Sequence, residues 1–518
     1  MKKHIKPVGV FLFLFAIISI LIIISYLFPP GGLRIGKDTH LHFPGPEEIL
    51  RPVQPDYADI SYLLDAAETD SDILAPVYSE ESLPLTNREV KHSDSLFPGP
   101  GIEENEEHPA GYTVFAGEAD EDILRDLIFP IEVPPGNDTV MDIFFSELSK
   151  LQKSEILLRI MHYGDSQIEN DRISSVLRNR FQSRFGGTGI GMFPVVAAVP
   201  HSAAVRIITD GNWSRHSPVG RAGHTSEHNR YGLLMSYSEI TPVPGEDVEG
   251  SFSFGPTTAG YHRSRQMKEL SIFMGHNKKP FLMEISSSGE VIDTELYFPS
   301  DSLILSRWDL PENKDQYSVS FTGDGSPEIY SVSLDNNTGV AVNNVPLRGS
   351  SGLEFSITDS SVLRQMMEEL NVRLVLLQFG VNVVPHITDD YTYYENALRR
   401  QLKFLKSVAP EISGIVIGVS DMSRRVPGGY YESYPNIELI RDAQRSAAFS
   451  EGFAFWDIYR AMGGKNSMPA WVNADPPLAQ LDHIHFTFRG SSLVGDLLFT
   501  AIMDGYDDYL KRLQKQSQ

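Results

Sequence analysis

The stretch that decides the fold is Glu155–Gln167, which reads EILLRIMHYGDSQ. Its first eight residues are mostly apolar and predict a strand that is buried on both faces. A tight turn, Gly164-Asp165-Ser166, follows at once, and a helix is predicted from about Asn170 to Phe185. A serine at a strand-to-helix turn exposes its hydroxyl above the sheet, beside helix amides that can stabilise an anion. An ordinary turn with Ser166 as a helix cap would have the same local sequence.

Beyond this stretch, apolar strands and helices alternate again near the C-terminus. Val372–Phe379 and Gly414–Val419 read as buried strands, and helices are predicted at Ser360–Leu370, Tyr391–Ser407 and Gly490–Leu510. Buried strands that alternate with helices indicate a parallel sheet in an α/β domain. We expect this domain to consist of two segments, residues 122–200 and 345–518.

The residues between these segments have a different texture. From about Pro194 to Asn344, short alternating runs such as Ser251–Phe254 and Gln316–Thr322 are separated by Gly, Pro, Asn and Asp turns. This spacing is typical of an all-β sandwich. We therefore predict an inserted β-domain over residues 201–344. Trp213, Tyr261 and Trp308 in it could stack on sugars, but aromatic residues of a sandwich more often belong to its core.

The N-terminus carries a membrane signal. Lys2, Lys3 and Lys6 precede an uncharged run, Val8–Phe28, which is long enough as a helix to span the ~30 Å hydrocarbon core. The positive flank should stay inside, so residues 1–28 are predicted to be a single-pass inner-membrane anchor, with the rest in the periplasm or outside the cell. A cleaved signal peptide is the alternative, but its apolar core is usually only ~7–15 residues and ends in small residues.

Residues 29–121 are predicted to be an acidic, Pro-rich, disordered linker. Between Gly45 and Asp126 there are 21 acidic and 4 basic residues, a net charge of −17 out of −24 for the whole chain. The sequence has no cluster of basic residues that could form a nucleic-acid-binding face, so no nucleic-acid partner is predicted. The chain has no cysteine, which excludes disulfides, thiol catalysis and thiolate metal sites.

Two C-terminal motifs add candidate catalytic groups. Asn382, in Gly380-Val381-Asn382, follows a predicted strand and can donate its amide to an oxyanion. Asp482 and His485 are three residues apart, so the carboxylate can orient the imidazole while the imidazole takes a serine proton. Because Asp482, His483 and His485 are all metal-ligand types, a metal site is the rival interpretation. No second cluster of ligands accompanies them, and no metal is predicted.

A backbone amide for the oxyanion is expected from a glycine. Gly349 is the candidate, because it follows the predicted strand Gly339–Asn343 and precedes the helix that leads to Asn382. The competing cluster, Gly186–Gly191, comes after a helix, where glycines more often end the helix.

Ser166, Gly349, Asn382 and the Asp482–His485 pair, in this order, resemble the blocks of the SGNH (GDSL-like) hydrolase superfamily. The first block reads Gly-Asp-Ser-Gln instead of Gly-Asp-Ser-Leu. The resemblance implies a three-layer α/β/α, flavodoxin-like parallel sheet, with Ser166 as nucleophile, His485 as base and Asp482 as its orienter. It also implies an oxyanion hole from the Ser166 and Gly349 amides and the Asn382 side chain, and no cofactor.

A narrower resemblance is to bacterial peptidoglycan O-acetylesterases, in which a carbohydrate-binding-module-like β-sandwich interrupts the SGNH domain. It implies removal of O-acetyl groups from an acylated carbohydrate. The same triad would serve an O-acetyltransferase that is supplied by a membrane acyl carrier protein. A noncatalytic carbohydrate-binding surface protein is the alternative from another class. The sequence has no long apolar lid segment of the kind that would indicate a lipase, and it lacks the motif of a nucleotide-binding loop.

Overall fold

The computed structural model describes residues 7–27, 33–34, 40–41, 56–67, 127–151, 153–220, 225–245, 247–312 and 314–516. Most of the linker predicted for residues 29–121 lies outside these ranges. The start of order predicted near Asp122 lies outside them as well.

Helices and strands are numbered in chain order over the described residues. The helices are α1 Pro7–Leu27, α2 Ser61–Ala67, α3 Asp142–Lys150, α4 Ser174–Phe185, α5 Ser360–Glu369, α6 Thr392–Val408, α7 Ile437–Ser450, α8 Ile458–Ala461, α9 Ser467–Asn473 and α10 Phe488–Gln516. The strands are β1 Leu33–Arg34, β2 His40–Leu41, β3 Leu157–Gly164, β4 Gly189–Phe193, β5 Val205–Gly211, β6 Trp213–His216, β7 Tyr237–Ile240, β8 Val248–Pro256, β9 Glu269–Asn277, β10 Phe281–Ser287, β11 Glu290–Tyr297, β12 Ser300–Asp309, β13 Tyr317–Gly323, β14 Glu328–Asp335, β15 Gly339–Pro346, β16 Val372–Gln378, β17 Ser413–Ile417, β18 Ser423–Arg425, β19 Tyr431–Ser433 and β20 Ala454–Trp456.

The site is positioned by a five-stranded parallel sheet in the order β15-β3-β16-β17-β20. Strand β3 lies between two strands that follow it by more than 170 residues along the chain. Gly164, at the end of β3, is in register with Pro346 on one side and Gln378 on the other. The carboxyl ends of these three strands therefore form one edge, where α/β sheets usually bind their ligands.

Helices cover both faces of this sheet. Leu158 and Ile160 of β3 pack with α3, α4 and α10, whereas Met161 and Tyr163 pack on the other face with α5, α6 and α7. The period of two along a strand turns successive side chains to opposite faces. Because both faces are apolar, both need a helical cover. The predicted α/β/α architecture with a parallel sheet is confirmed.

The inserted domain is a pair of antiparallel sheets. One has the order β11-β10-β13-β8-β5, and the other has β12-β9-β14-β7-β6 with β4 paired to β14. Side chains from both sheets, among them Phe252, Ile272 and Val332, form a separate buried core. The predicted inserted β-domain is confirmed. Trp213 and Trp308 pack at the margin of this core, and their indole N–H groups donate to Asp210 O and Asp293 Oδ2.

The ends of the insert differ from the predicted boundaries of 201 and 344. Strand β4 already pairs with β14 from Gly189 onward, and the last strand of the insert ends at Asp335. The next strand, β15, belongs to the parallel sheet beside β3. It follows a long series of β-strands, so its pattern alone does not reveal the change of sheet.

The segment of residues 56–67 differs from the disordered linker predicted around it. Ile60, Leu63 and Ala66 are buried in the core that lies under α10. The Asn466 side chain donates to Asp56 O at 2.9 Å, and Ala58 N donates to Asn466 O at 3.3 Å. A short apolar face at helical spacing is enough to dock this piece, although its acidic surroundings have the composition of a linker.

The first helix, α1, covers most of the uncharged N-terminal run. Within the described part of the chain, no helix is recognised as long and apolar enough to cross a membrane.

Candidate active site

The strand-to-turn junction at Gly164 places Ser166. A Cβ atom on Gly164 would lie 2.9 Å from Gln378 O and 3.0 Å from Ile168, so only glycine fits there. Asp165 then accepts a hydrogen bond from Gln167 N at 3.0 Å and caps the short 3-10 helix Ser166–Asp171. The turn thus lifts the Ser166 hydroxyl to the carboxyl edge of the sheet.

Ser166, His485 and Asp482 form a continuous hydrogen-bonded series. Ser166 Oγ lies 2.7 Å from His485 Nε2, and His485 Nδ1 lies 2.6 Å from Asp482 Oδ2. A carboxylate only accepts, so the Nδ1 proton faces Asp482 and Nε2 is free to take the serine proton. The structure therefore brings together the three residues that the sequence predicted as a triad.

Asp482 uses its second oxygen to shape the loop. Asp482 Oδ1 accepts from Ile484 N at 2.9 Å and from His485 N at 3.0 Å. Burial works to raise the pKa of Asp482, but the hydrogen bonds from His485 and Ile484 outweigh it and lower the pKa. Asp482 is thus held as the anion that an imidazolium next to it requires.

The predicted oxyanion donors lie at the ends of the strands that flank β3. Gly349 follows β15 and has a φ of +80°, which an L side chain rarely adopts. Asn382 follows β16, is exposed, and donates through Nδ2 to Ser350 O at 2.8 Å. One amide hydrogen of Asn382 therefore fixes the Gly349–Ser350 loop, and the second is available to a ligand.

The competing glycines serve a different purpose. A Cβ atom on Gly187 would lie 2.5 Å from Val340 O, and one on Gly189 would lie 2.0 Å from Leu334 O. These glycines allow the chain between α4 and β4 to pack closely against β14 and β15. Of the two glycine candidates, Gly349 is therefore the one that lies at the carboxyl edge of the parallel sheet.

His483 has a place of its own. Its ring stacks on Tyr431 of β19 with the centroids 3.5 Å apart and an angle of 10° between the planes. In the described residues, no group of three His, Cys, Asp or Glu side chains is arranged to hold a metal ion.

An ion pair that sequence reasoning missed, between a buried Glu169 and a largely exposed Arg348, links two of the catalytic loops. Arg348, next to Gly349, donates from Nε to Glu169 Oε1 at 2.6 Å. Glu169 is 5% exposed and belongs to the 3-10 helix that begins at Ser166. The bond ties the Gly349 loop to the nucleophile turn. The two residues are 179 positions apart, with the insert between them, and no local pattern pairs them.

Comparison with known proteins agrees with this fold. Residues 311–493 match the GDSL-like Lipase/Acylhydrolase family, and no curated protein sequence matches the chain. A structure described as "Peptidoglycan O-acetylesterase in action, 5 min" is similar over 71% of this chain and 96% of its own, with 19% identity and a TM-score of 0.56.

Two further structures are similar over smaller parts, at TM-scores too low to bear on the fold. A family two carbohydrate esterase from Cellvibrio japonicus has 9% identity, a TM-score of 0.22 and coverage of 59% of this chain and 99% of its own. A family 29 carbohydrate binding module has 14% identity, a TM-score of 0.19 and coverage of 30% and 90%.

The family match covers the loops of Gly349, Asn382, Asp482 and His485, and the parallel sheet adds Ser166 from the other side of the insert. Residues 311–493 therefore match the GDSL-like lipase/acylhydrolase family, and together with the geometry of Ser166, His485 and Asp482 this match supports a hydrolase that acts on ester bonds.

Proposed function

We propose that this enzyme removes O-acetyl groups from a cell-wall or extracellular polysaccharide through an acyl-enzyme on Ser166. The observation that carries the proposal is the series Ser166–His485–Asp482, with separations of 2.7 Å and 2.6 Å. Likeness in fold to a peptidoglycan O-acetylesterase supports the choice of substrate class.

The chemistry follows from the positions of the protons. Ser166 Oγ attacks the ester carbonyl carbon while its proton moves to His485 Nε2. The carbonyl oxygen becomes an oxyanion, which the Ser166 and Gly349 amides and the Asn382 side chain would stabilise; losing one such donor typically costs ~10²–10³ in turnover. Collapse breaks the bond to the sugar oxygen, and His485 returns the proton to that oxygen. Water then attacks the acyl-enzyme with His485 as base and releases the acid and Ser166.

The openness of the site favours a large substrate with a small acyl group. The Asp482 and His485 side chains are 39% and 26% exposed. Leu481, beside Asp482, is 86% exposed. An accessible serine suits an ester that projects from a polymer, whereas a long acyl chain would need an apolar channel to leave water.

The deciding experiment compares the full chain with its Ser166→Ala variant on p-nitrophenyl acetate and on O-acetylated peptidoglycan. We expect acetate release to fall by ~10⁴–10⁶-fold in the variant. Ser302→Ala, at an exposed serine of the insert, is the matched control and should keep full activity. Undiminished activity of Ser166→Ala would overturn the mechanism.

The same experiment separates the alternatives when a carbohydrate acceptor is added. Acetylated acceptor that accumulates in place of free acetate would identify a transferase, which a membrane acyl carrier protein could supply. Polymer binding without any Ser166-dependent chemistry would indicate a noncatalytic carbohydrate-binding protein.

We also propose that the enzyme is tethered to the inner membrane and acts on its outer side. The support is the sequence alone: Lys2, Lys3 and Lys6 before the uncharged run Val8–Phe28. Deletion of residues 1–28 should move the protein from the membrane fraction to the soluble fraction. A full chain found only in the soluble fraction would contradict the tether.

A further inference from the structure

A series of buried polar side chains runs beneath the nucleophile and is not used by the mechanism above. Each member is at most 2% exposed. They are Gln167, Ser420, Gln378, His162, Ser174 and Asn344. Buried polar groups are costly unless they are hydrogen-bonded, so a set of six so close to a reactive serine calls for a reason.

The series touches the catalytic loop through Gln167. Gln167 Nε2 donates to Ile484 O at 3.1 Å and to Ser420 Oγ at 2.7 Å. Ile484 immediately precedes His485. The residue after the nucleophile is therefore bonded to the residue before the base, across 317 positions of the chain.

The Ile484 carbonyl fixes the direction of every bond in the series. A carbonyl only accepts, so the amide nitrogen of Gln167 must face it, and the Gln167 oxygen faces inward. That oxygen accepts from Gln378 Nε2 at 3.3 Å. The Gln378 oxygen in turn faces His162 Nε2 at 3.1 Å, so the ring proton of His162 resides on Nε2.

His162 keeps this direction over a wide pH range. Burial lowers the pKa of His162 to about 4, so the ring is neutral and carries a single proton. Its Nδ1 then accepts from Ser174 Oγ at 2.8 Å. Ser174 Oγ also lies 2.9 Å from Asn344 Oδ1, and Asn344 Nδ2 has no partner. Because the Ser174 proton is already directed at His162, exchanging the oxygen and nitrogen of the Asn344 amide would give both groups a hydrogen bond and complete the series.

We infer that Gln167 is a positioning residue that sets the distance between Ser166 and His485, and that His162 and Gln378 hold its amide in the required orientation. The inference rests on the proposed serine mechanism. Other contacts between the nucleophile segment and the catalytic loop do not bear on the Gln167 amide; one is the bond from Arg172 Nη1 to Phe486 O at 3.3 Å. Proton transfer needs Ser166 and His485 within hydrogen-bond reach, so loosening the loop slows the chemical step more than substrate binding.

The first test is Gln167→Leu in the full chain, assayed with p-nitrophenyl acetate. This change preserves approximate volume and removes all three hydrogen bonds of the side chain. We expect kcat to fall ~10- to 100-fold, with KM changed by less than about threefold. Gln182→Leu is the matched control: Gln182 is also fully buried and donates to Gly189 O, but it does not contact the catalytic loop, and kcat should remain unchanged.

Gln167→Glu gives a signature that a purely structural role would not produce. Its ionised carboxylate faces the Ile484 carbonyl without a proton and should reduce kcat at pH 8. A protonated carboxyl restores one donor, so the activity relative to the native chain should rise as the pH falls toward 5. This variant keeps the inference testable if Gln167→Leu does not fold.

The outcomes distinguish the inference from the proposed function. Native kcat in both Gln167 variants, together with loss of activity in Ser166→Ala, would overturn the positioning role and leave the serine mechanism intact. Full activity of Ser166→Ala would overturn the mechanism itself. A relative activity of Gln167→Glu that is independent of pH would count against the donor role.

Discussion

Asp165 shows how closely the nucleophile turn is packed. The residue is 1% exposed, and burial raises the pKa of Asp165 to about 7 despite the opposing hydrogen bond from Gln167 N. An aspartate in the unfolded chain has a pKa near 3.8. Between these values the folded protein binds a proton that the unfolded chain does not, so this residue lowers the free energy of unfolding as the pH rises from about 4 to about 7.

Asp165→Asn should remove this dependence, because the amide keeps an acceptor for Gln167 N and carries no charge. The Tm of the variant relative to the native chain should therefore increase with pH through that window and level off above about pH 7. A tenfold change in proton affinity corresponds to ~1.4 kcal/mol, so the difference in Tm between the variant and the native chain should change by several degrees across this window. Thermal unfolding at pH 5 and pH 8 measures it, and an equal difference in Tm at both values would contradict it.

At this scale, local spacing in the sequence was enough to predict the candidate triad, whose members the structure brings together. Asp482 and His485 are three positions apart, and Ser166 follows a buried strand directly, so both features can be recognised from the sequence alone. Gln167 and the pair Arg348–Glu169 act through partners that the insert separates from them. Only the three-dimensional structure brings those partners together.

At the scale of elements, the helix predicted from about Asn170 begins only at Ser174, and the one predicted to end at Leu510 continues to Gln516. Most other predicted helices and strands of the α/β domain were found close to their expected ends. For example, Val372–Phe379 was predicted and Val372–Gln378 is observed, because an apolar run between polar turns defines a buried strand well. Docking of a short helix is harder to predict. Helix α2 has only seven residues, and a helix so short depends on packing for its stability.

Helix α2 should contribute measurably to stability. Leu63 is fully buried, and truncation of a buried leucine to alanine commonly costs ~2–5 kcal/mol. Leu63→Ala in the full chain should therefore lower the free energy of unfolding by an amount in that range. Ser61→Ala, at an exposed position of the same helix, should change it little. Denaturant unfolding compares the two, and equal midpoints would show that the helix does not stay docked in solution.

At the scale of the whole molecule, the insert is fastened to the catalytic sheet by a buried ion pair. Arg159 lies on β3, and Asp335 ends the last strand of the insert; Arg159 Nη2 lies 2.7 Å from Asp335 Oδ2, and both side chains are at most 3% exposed. Tyr231, Phe273 and Tyr330 of the insert also pack in the core under α5 and α6. The two domains are thus joined by a buried charge pair and by shared apolar surface.

Arg159→Met should test this joint. Removing one partner of a buried pair leaves the other charge without compensation and typically costs ~3–5 kcal/mol. The matched control is Arg184→Met, which removes a surface ion pair with Asp507. The two side chains are 43% and 52% exposed, so the change should lower the free energy of unfolding by at most ~1 kcal/mol. Calorimetry of both variants measures the difference. Similar losses in the free energy of unfolding for the two variants would mean that the buried ion pair between Arg159 and Asp335 adds no stability.

The position of β3 between β15 and β16 also has a consequence for the order of events on the ribosome. The nascent chain carries Ser166 long before it carries His485, 319 residues later, and at ~5–20 residues per second the delay is tens of seconds. Until β15 is made, from Gly339 onward, β3 has neither neighbour to pair with, whereas every strand from β5 to β14 can find partners within the emerging insert. The β-sandwich can therefore fold first and hold the two segments of the hydrolase domain together, and Ser166 acquires its base only after both neighbours of β3 and the loop of His485 have been made.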